Sequence, residues 1–331
     1  MKTLFRATML IILSLTLTTC ATAQAGNATT GTGATTAAQL AAALNAMNEG
    51  SARASGDTVT LTKGTNIPRD LTVPAGVTLD LTALPDNDSL NLRDGVTLTV
   101  NGTVNVRGGW GNTGHGGSLN IDNGAVVING NGTINLTGKG NLIHIWGGNG
   151  KKLTLDGVTL VGIADNNEPL VNVNSGGELV MVSGAITGNT NTDDDWASGG
   201  GVIVSGGIFT MSGGTISGNS AVGTRGSGGC RFTMSGGAIN GNSVTRYGGG
   251  VMIQGSGSTF IMEDGRIQGG TDSDGFTKNT ATLGYVSLAV NANYDTVKWS
   301  TGGTYTKGGV NQTGGGNIGD TNDTLIAIPA R

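Results

Sequence analysis

Two short runs of this chain set acidic residues close together. "NTDDD" at 191–195 sets Asp193, Asp194 and Asp195 side by side with Trp196 next to them, and "TDSDG" at 271–275 carries Asp272 and Asp274. Clustered carboxylates suit a hard cation, Ca²⁺ before any other. Neither run completes a calcium-loop pattern, however, and both read first as solvated loops. Glycoside hydrolysis needs two carboxyls facing each other across the scissile bond, which adjacent aspartates in one loop do not secure. The two histidines, His115 in "GHG" and His144 in "LIHIW", have no serine or cysteine beside them to complete a nucleophile set, and no zinc-ligand spacing occurs. The expectation is no catalytic residue, no resident cofactor, and Ca²⁺ as the one ion the acids suit. Of the scattered tryptophans, Trp196 beside the aspartates is best placed to stack on a sugar.

What must position these residues is a repeat. "FTMSGGTISGNS" at 209–220 returns as "FTMSGGAINGNS" at 232–243, with an earlier relative, "LVMVSGAITGNT" at 179–190, and a worn later one, "FIMEDGRIQGGT" at 260–271. Met181, Met211, Met234 and Met262 mark the register. A glycine-led strand precedes two copies, "GGGVIV" at 199–204 and "GGGVMI" at 248–253; the copy at 228–243 has lost most of it. Upstream, "VTLDL" (77–81), "LNL" (90–92), "VTLTV" (96–100), "TVNV" (103–106), "LNI" (119–121), "TINL" (133–136), "LTL" (153–155) and "LVNV" (170–173) are short alternating strands separated mostly by Gly, Asn or Asp. Such strands at a period of roughly 20–30 residues predict roughly nine coils of an all-β, parallel β-solenoid, in which each coil buries its apolar side only against its neighbours. Phe209, Met211 and Ile216 should point inward onto Phe232, Met234 and Ile239, with Thr210 and Ser217 outward. Asn189, Asn219 and Asn242 each follow a glycine at the same place in the unit, where stacked amides would form a hydrogen-bonded ladder.

Composition fits a narrow, uncharged core. The 331 residues include 62 Gly and 5 Pro; 36% are hydrophobic, 12% charged, and the formal net charge is −4. That balance is no nucleic-acid footprint. The first 25 residues read as an export signal, with Lys2 and Arg6 before an apolar run from Met9 to Leu17. Two processing readings stay open: cleavage after the small residues Ala23 to Ala25, or lipidation at Cys20 in "LTTC", where Thr19 departs from the usual small residue. Either leaves Cys230 without an intramolecular partner. Residues 26–34 form a flexible spacer, 35–50 an N-terminal capping helix, 51–310 the solenoid and 311–331 a C-terminal tail. Thr36 and Gln39 match a capping box, Leu40, Leu44 and Met47 share one helical face, and Gly50 is a stop signal. Such a helix would cover the open edge of the first coil.

The chain resembles right-handed parallel β-helix proteins of pectin-lyase-like architecture. "GGTI" (213–216), "GGAI" (236–239) and "FTKN" (276–279) resemble the GGxI and FxxN repeats of chlamydial polymorphic outer-membrane proteins, and the layout is similar to repeat-rich exported proteins of spirochaetes. The sharp likeness covers about 175–280, the architectural one about 35–310. It implies a right-handed coil and a cell-surface location. It does not imply self-secretion, because the chain ends "TLIAIPAR" without a series of amphipathic membrane strands. The same architecture hosts polysaccharide lyases and hydrolases. Fragments similar to the polygalacturonase segments are present in "NTDDD", "GHG" and "RIQ" (266–268), but in another order and with the acids fused into one loop.

The resulting expectation is an exported, non-enzymatic β-helix that presents an extended binding or stalk surface; the rival is a carbohydrate-active enzyme on the same fold. The partner would be a surface protein or a glycan, not nucleic acid, with the membrane reached only through the possible lipid anchor. Variable segments follow the Gly-Asn turn at 190–198, 220–227 and 243–247, and 271–278 is read as their equivalent. They hold most of the repeat's charge, including Arg225 and Arg246, together with Trp196 and Tyr247, aromatic types common at binding hot spots. Stacking would bring them to one edge of the rod.

Overall fold

The computed structural model describes residues 33–109, 119–145, 150–174, 176–193, 199–221, 231–244, 251–253, 259–268, 279–281, 288–290, 297–299, 304–307, 310–313 and 325–328. The first described element of regular structure after residue 36 is helix α1 (Ala37–Asn45), shorter than the 35–50 span suggested by sequence. The Thr36 side chain caps it by accepting from the Gln39 amide at 3.3 Å, while the Gln39 Oε1 accepts from the Thr35 amide at 2.8 Å. Leu40 and Leu44 are fully buried. An antiparallel hairpin of β1 (Ala52–Ser55) and β2 (Thr58–Leu61) follows, and α1 packs on it at the first edge of the solenoid.

Six three-stranded coils come next. They are β3 (Thr65–Ile67), β4 (Leu71–Val73) and β5 (Thr78–Asp80); β6 (Leu90–Leu92), β7 (Thr97–Val100) and β8 (Thr103–Val106); and β9 (Leu119–Ile121), β10 (Ala125–Asn129) and β11 (Thr133–Leu136). The fourth holds β12 (Ile143–Ile145), β13 (Lys152–Asp156) and β14 (Thr159–Val161). The fifth holds β15 (Val171–Asn174), β16 (Glu178–Met181) and β17 (Ala185–Thr187), with the short β18 (Thr190–Asn191) after it. The sixth holds β19 (Val202–Ser205), β20 (Ile208–Met211) and β21 (Thr215–Ser217), followed by β22 (Ser220–Ala221). Every strand pairs in parallel with its counterpart one coil on. The solenoid therefore has three faces: a first (β3, β6, β9, β12, β15, β19), a second (β4, β7, β10, β13, β16, β20) and a third (β5, β8, β11, β14, β17, β21).

Beyond the sixth coil the unit changes. β23 (Arg231–Asn240) runs along both the second and third faces in one strand, and β24 (Ser243–Val244) follows. Among the described residues the first-face sheet runs from β3 to β19. β25 (Val251–Ile253), β26 (Thr259–Ile267), β27 (Thr280–Ala281), β28 (Leu288–Val290) and β29 (Val297–Trp299) continue the parallel pairing. β30 (Thr304–Lys307), β31 (Val310–Thr313) and β32 (Leu325–Ile328) then pair antiparallel, and β32 lies on Gly265–Ile267 of β26. Among the described residues, complete three-stranded coils thus number six, against roughly nine anticipated. The rest of the described elements are the helix and hairpin at one end and further parallel and antiparallel strands at the other.

The core is a set of columns. On the third face Val59, Leu79, Val104, Ile134, Leu160, Ile186, Ile216 and Ile239 are register partners from coil to coil, and all are buried. On the second face Leu179, Phe209 and Phe232 stack, as do Met181, Met211 and Met234. The alternation that put Phe, Met and Ile inward and Thr210 and Ser217 outward holds throughout this region. Outward positions of the third face carry Thr58, Thr78, Thr103, Thr133 and Thr159 in one aligned row.

Candidate binding edge and acidic corner

The three asparagines singled out by sequence meet at the corner between the third and first faces. Asn189, Asn219 and Asn242 are buried there and form the expected ladder. The Asn219 Oδ1 accepts from the Asn189 backbone amide at 3.2 Å, and the Asn242 Oδ1 accepts from the Asn219 amide at 3.1 Å. The ladder is longer than the three repeats suggested. Asn166 adds a rung by donating to the Asn189 Oδ1 at 2.9 Å, and the Asn279 Oδ1 accepts from the Asn242 amide at 2.9 Å. Each later rung also ties back to the preceding coil. The side-chain amides of Asn219, Asn242 and Asn279 donate to the carbonyls of Ile186, Ile216 and Ile239 at 3.0, 2.9 and 3.0 Å. A buried amide that meets its donors and acceptors in this way satisfies the corner backbone where sheet pairing stops. The left-handed residue is the glycine before the asparagine, with φ of 74° at Gly188 and 66° at Gly218.

The ladder corrects one register. Asn279, from "FTKN", is the counterpart of Asn242, and β27 after it pairs with β24. The segment 271–278 therefore precedes the corner rather than following it, and is no equivalent of the other three variable segments. The glycine pair in "RIQGGT" had imitated the Gly-Asn turn. The other three do leave from stacked strands: β18, β22 and β24 pair in parallel in one small sheet with β27. Asp194, Asp195, Trp196, Arg225, Arg246, Tyr247, Asp272 and Asp274 lie outside the described residues, as do Cys20, Cys230 and His115.

Asp193 is described, and it brings in residues that sequence reasoning passed over. Its amide donates to the Asn191 Oδ1 at 3.2 Å. Asn191 forms a parallel bridge with Asn166 on the neighbouring coil, through the Asn166 amide to the Thr190 carbonyl and the Thr192 amide to the Asn166 carbonyl, both 2.8 Å. Two residues beyond Asn166 stands Glu168. Its carboxyl is held above the ordinary Glu range, first by burial and then by the negative charge of Asp193, against a lowering hydrogen bond from Asn141. Asn141 is fully buried; its Nδ2 donates to the Pro169 carbonyl at 2.7 Å, and its Oδ1 has no hydrogen-bond partner. On the solvent side Asp165 pairs with Lys139 at 3.0 Å and accepts from Thr192 at 3.1 Å, which holds its carboxyl below the usual range. The available signal was "DNNEPL" at 165–170: a Glu set among asparagines and fixed by Pro169 in a corner otherwise made of small polar residues. His144 is a buried mid-strand residue whose register partners are Asn120 and Asn172.

Among the described residues no group of three or more His, Cys, Asp or Glu is placed to hold a metal, and no helix is long and apolar enough to cross a membrane. Comparison with protein-family models, with curated proteins and with solved structures gave no match. The class defined by the fold is therefore the parallel β-solenoid itself.

Proposed function

We propose that this chain is an exported, non-enzymatic β-helix that displays variable loops from one edge of a rigid rod, at the cell surface or in the envelope, with a surface protein or a glycan as partner. The observation that carries this reading is the stacking of β18, β22 and β24, which roots three variable segments on successive coils. Repeat proteins place insertions on one face, and that face is commonly the binding face. The described outward rows of the third face are mostly Thr, Ser and Asn and offer little by comparison. The GGxI and FxxN segments, with their likeness to chlamydial surface repeats, support export and a right-handed coil.

A second reading has one observation in its favour. Glu168, whose carboxyl burial and the charge of Asp193 raise above its ordinary range, beside Asp193 resembles the acid-and-carboxylate pairing that a glycan-cleaving site uses. One experiment separates the two. The full chain and a form with 194–198 and 222–227 cut to Gly-Asn turns are applied to an array of envelope and host-type glycans, with circular dichroism to confirm the fold. Supernatants from the same polysaccharides are assayed for new reducing or unsaturated ends. Display predicts binding that is lost on trimming and no new ends. New ends that disappear in Glu168→Gln establish the enzyme.

A further inference from the structure

An asparagine followed by glycine carries its own nucleophile. The glycine amide nitrogen, with no Cβ beside it, can close on the asparagine side-chain carbonyl. Five such pairs lie among the described residues, at Asn101, Asn123, Asn129, Asn131 and Asn240. Three of them bind the glycine amide to a neighbouring coil: Gly102 donates to the Val73 carbonyl at 3.2 Å, Gly130 to that of Asp156 at 3.1 Å and Gly132 to that of Val100 at 2.8 Å. The same three glycines are wedged against backbone, since a Cβ on any of them would stand 2.2 Å from a carbonyl oxygen. At the fourth pair the Gly241 amide makes no hydrogen bond among the described residues, but Asn240 lies in β23, in register with Ser217. Ring closure has to turn the asparagine's own Cα–C bond, which a paired strand resists.

Asn123 differs on each count. It stands between β9 and β10, outside both strands, and is exposed. Among the described residues the Gly124 amide makes no hydrogen bond. The atoms closest to a Cβ on Gly124 all belong to the Asp94 side chain, not to backbone. The Asn123 Oδ1 accepts from the Asp94 backbone amide at 3.2 Å, so a donor already faces the oxygen on which negative charge develops when the carbonyl is attacked. Exposure alone does not single this residue out, because Asn101 and Asn131 are exposed as well.

We propose that Asn123 is a self-modifying site, which deamidates in the folded chain while the other four pairs are protected by the coils around them. The Gly124 nitrogen gives its proton to solvent and bonds to the Asn123 Cγ. The Cγ–Nδ2 bond breaks, and the side-chain nitrogen takes a proton back from solvent and leaves as ammonia. The product is a cyclic imide. Water then adds to one of its two carbonyls and opens it, to aspartate or to isoaspartate, in which the main chain runs through the side-chain carbon. Water is the only co-reactant. Either product sets a new carboxylate beside Asp94 and Asp122, of which Asp122 is paired with Arg93. Isoaspartate also lengthens the main chain between β9 and β10, next to the point where the Asp94 Oδ1 accepts from the Ala125 amide at 2.8 Å. The reaction therefore loosens this corner as the protein ages. It requires no partner and stands or falls apart from the loop-edge reading.

The test holds the full chain in mildly alkaline buffer, with circular dichroism over the same period to keep the comparison to folded protein. Samples are digested and the mass gained by exchange of NH₂ for OH is followed at each pair; a second series runs in denaturant. In the folded chain Asn123 should convert faster than the other four pairs by about 3- to 10-fold or more, the factor that one backbone hydrogen bond contributes. In denaturant the five should convert at similar rates. Hydroxylamine should trap the imide by cleaving between Asn123 and Gly124, and isoaspartate should accumulate at the same place. Asn123→Gln, whose longer side chain closes the corresponding ring far less readily, should show neither. Conversion at Asn123 no faster than at Asn101 or Asn131 in the folded chain overturns the proposal. So does a mass gain at Asn123 that brings neither isoaspartate nor hydroxylamine cleavage, because direct hydrolysis would then be the route.

Discussion

Phe232 lies flat on Phe209, ring centroids 4.7 Å apart and planes 8° from parallel. The two rings are register partners on adjacent coils and both are buried, 6% and 3% exposed. Their spacing is the coil spacing, since parallel strands lie about 4.8 Å apart. A pair of identical aromatic residues one coil apart therefore stacks because the backbone leaves it no other distance.

Phe232→Ala opens a void below Phe209 and removes the stack. The expected cost is about 3–5 kcal/mol, as for other buried aromatic residues, and it should fall mainly on the coils nearest the substitution, because solenoid stability is a sum of neighbour interfaces. Guanidinium unfolding and hydrogen exchange measure this. Wild-type stability, or uniform loss of protection from β2 to β26, contradicts the columnar core.

Asn219 joins three coils. Its Oδ1 serves the Asn189 amide, and its Nδ2 serves the Ile186 and Ser217 carbonyls and the Asn242 Oδ1. Asn219→Ala strands buried backbone groups at about 1–3 kcal/mol each. Asn219→Asp keeps the acceptor but loses the donor and buries a charge, so it should melt below wild type at neutral pH and recover toward it in acid. An alanine variant as stable as wild type would show that water replaces the amide.

How far these features were legible depends on whether the residue type repeats. Phe, Met and Ile return at fixed places in the phrases at 209–220 and 232–243, and alternation fixes which side faces in, so the columns could be drawn before any coordinates. Gly188-Asn189 and Gly218-Asn219 repeat likewise, and three rungs of the ladder were readable. Asn166 was hidden because the residue before it is Asp165 rather than glycine, and Asn279 because it stands twelve residues after Ile267 where Asn242 stands three after the paired Ile239. Glu168 and Asn141 occur once each. Their meeting depends on which coils are neighbours at that corner, which no local pattern states.

Glycine requirements at the corners divide into two kinds. Gly184 has φ of 94°, and a Cβ there would stand 2.2 Å from the Val158 carbonyl oxygen of the coil before. Gly56, in the β1–β2 hairpin turn, has φ of 58° with nothing within 4 Å of such a Cβ. Gly56→Ala meets only the left-handed backbone penalty, roughly 1–2 kcal/mol. Gly184→Ala adds a backbone collision that only separation of two coils can relieve, so it should be the far more destabilising change in paired melts. Equal effects would mean that the coils are not in the close contact described.

The last prediction concerns pH. Glu168 has its carboxyl raised by burial and by Asp193, so the folded chain binds this proton more tightly than the unfolded chain does. Between the ordinary Glu value and the raised one the native state holds more protons, and stability falls as pH rises. The cost is complete above the raised value and absent below the ordinary one. Glu168→Gln keeps an oxygen to accept from Asn141 and carries no charge. At neutral pH it should therefore melt above the parent. That advantage should shrink as pH falls and disappear below about 4.3, the unperturbed Glu value. Asp165 works in the opposite sense. Its hydrogen bond from Lys139, with that of Thr192, lowers its carboxyl, so its small contribution is present above the unfolded value and is lost as pH falls through the folded one. Because that pair is exposed, Asp165→Asn should change the melt little and never raise it at neutral pH. Melts of parent and both variants from pH 4 to 8 settle the matter. A gap between parent and Glu168→Gln that is the same at both ends of the series, or a Gln variant that melts lower at neutral pH, would show that the Glu168 charge is not what strains this corner.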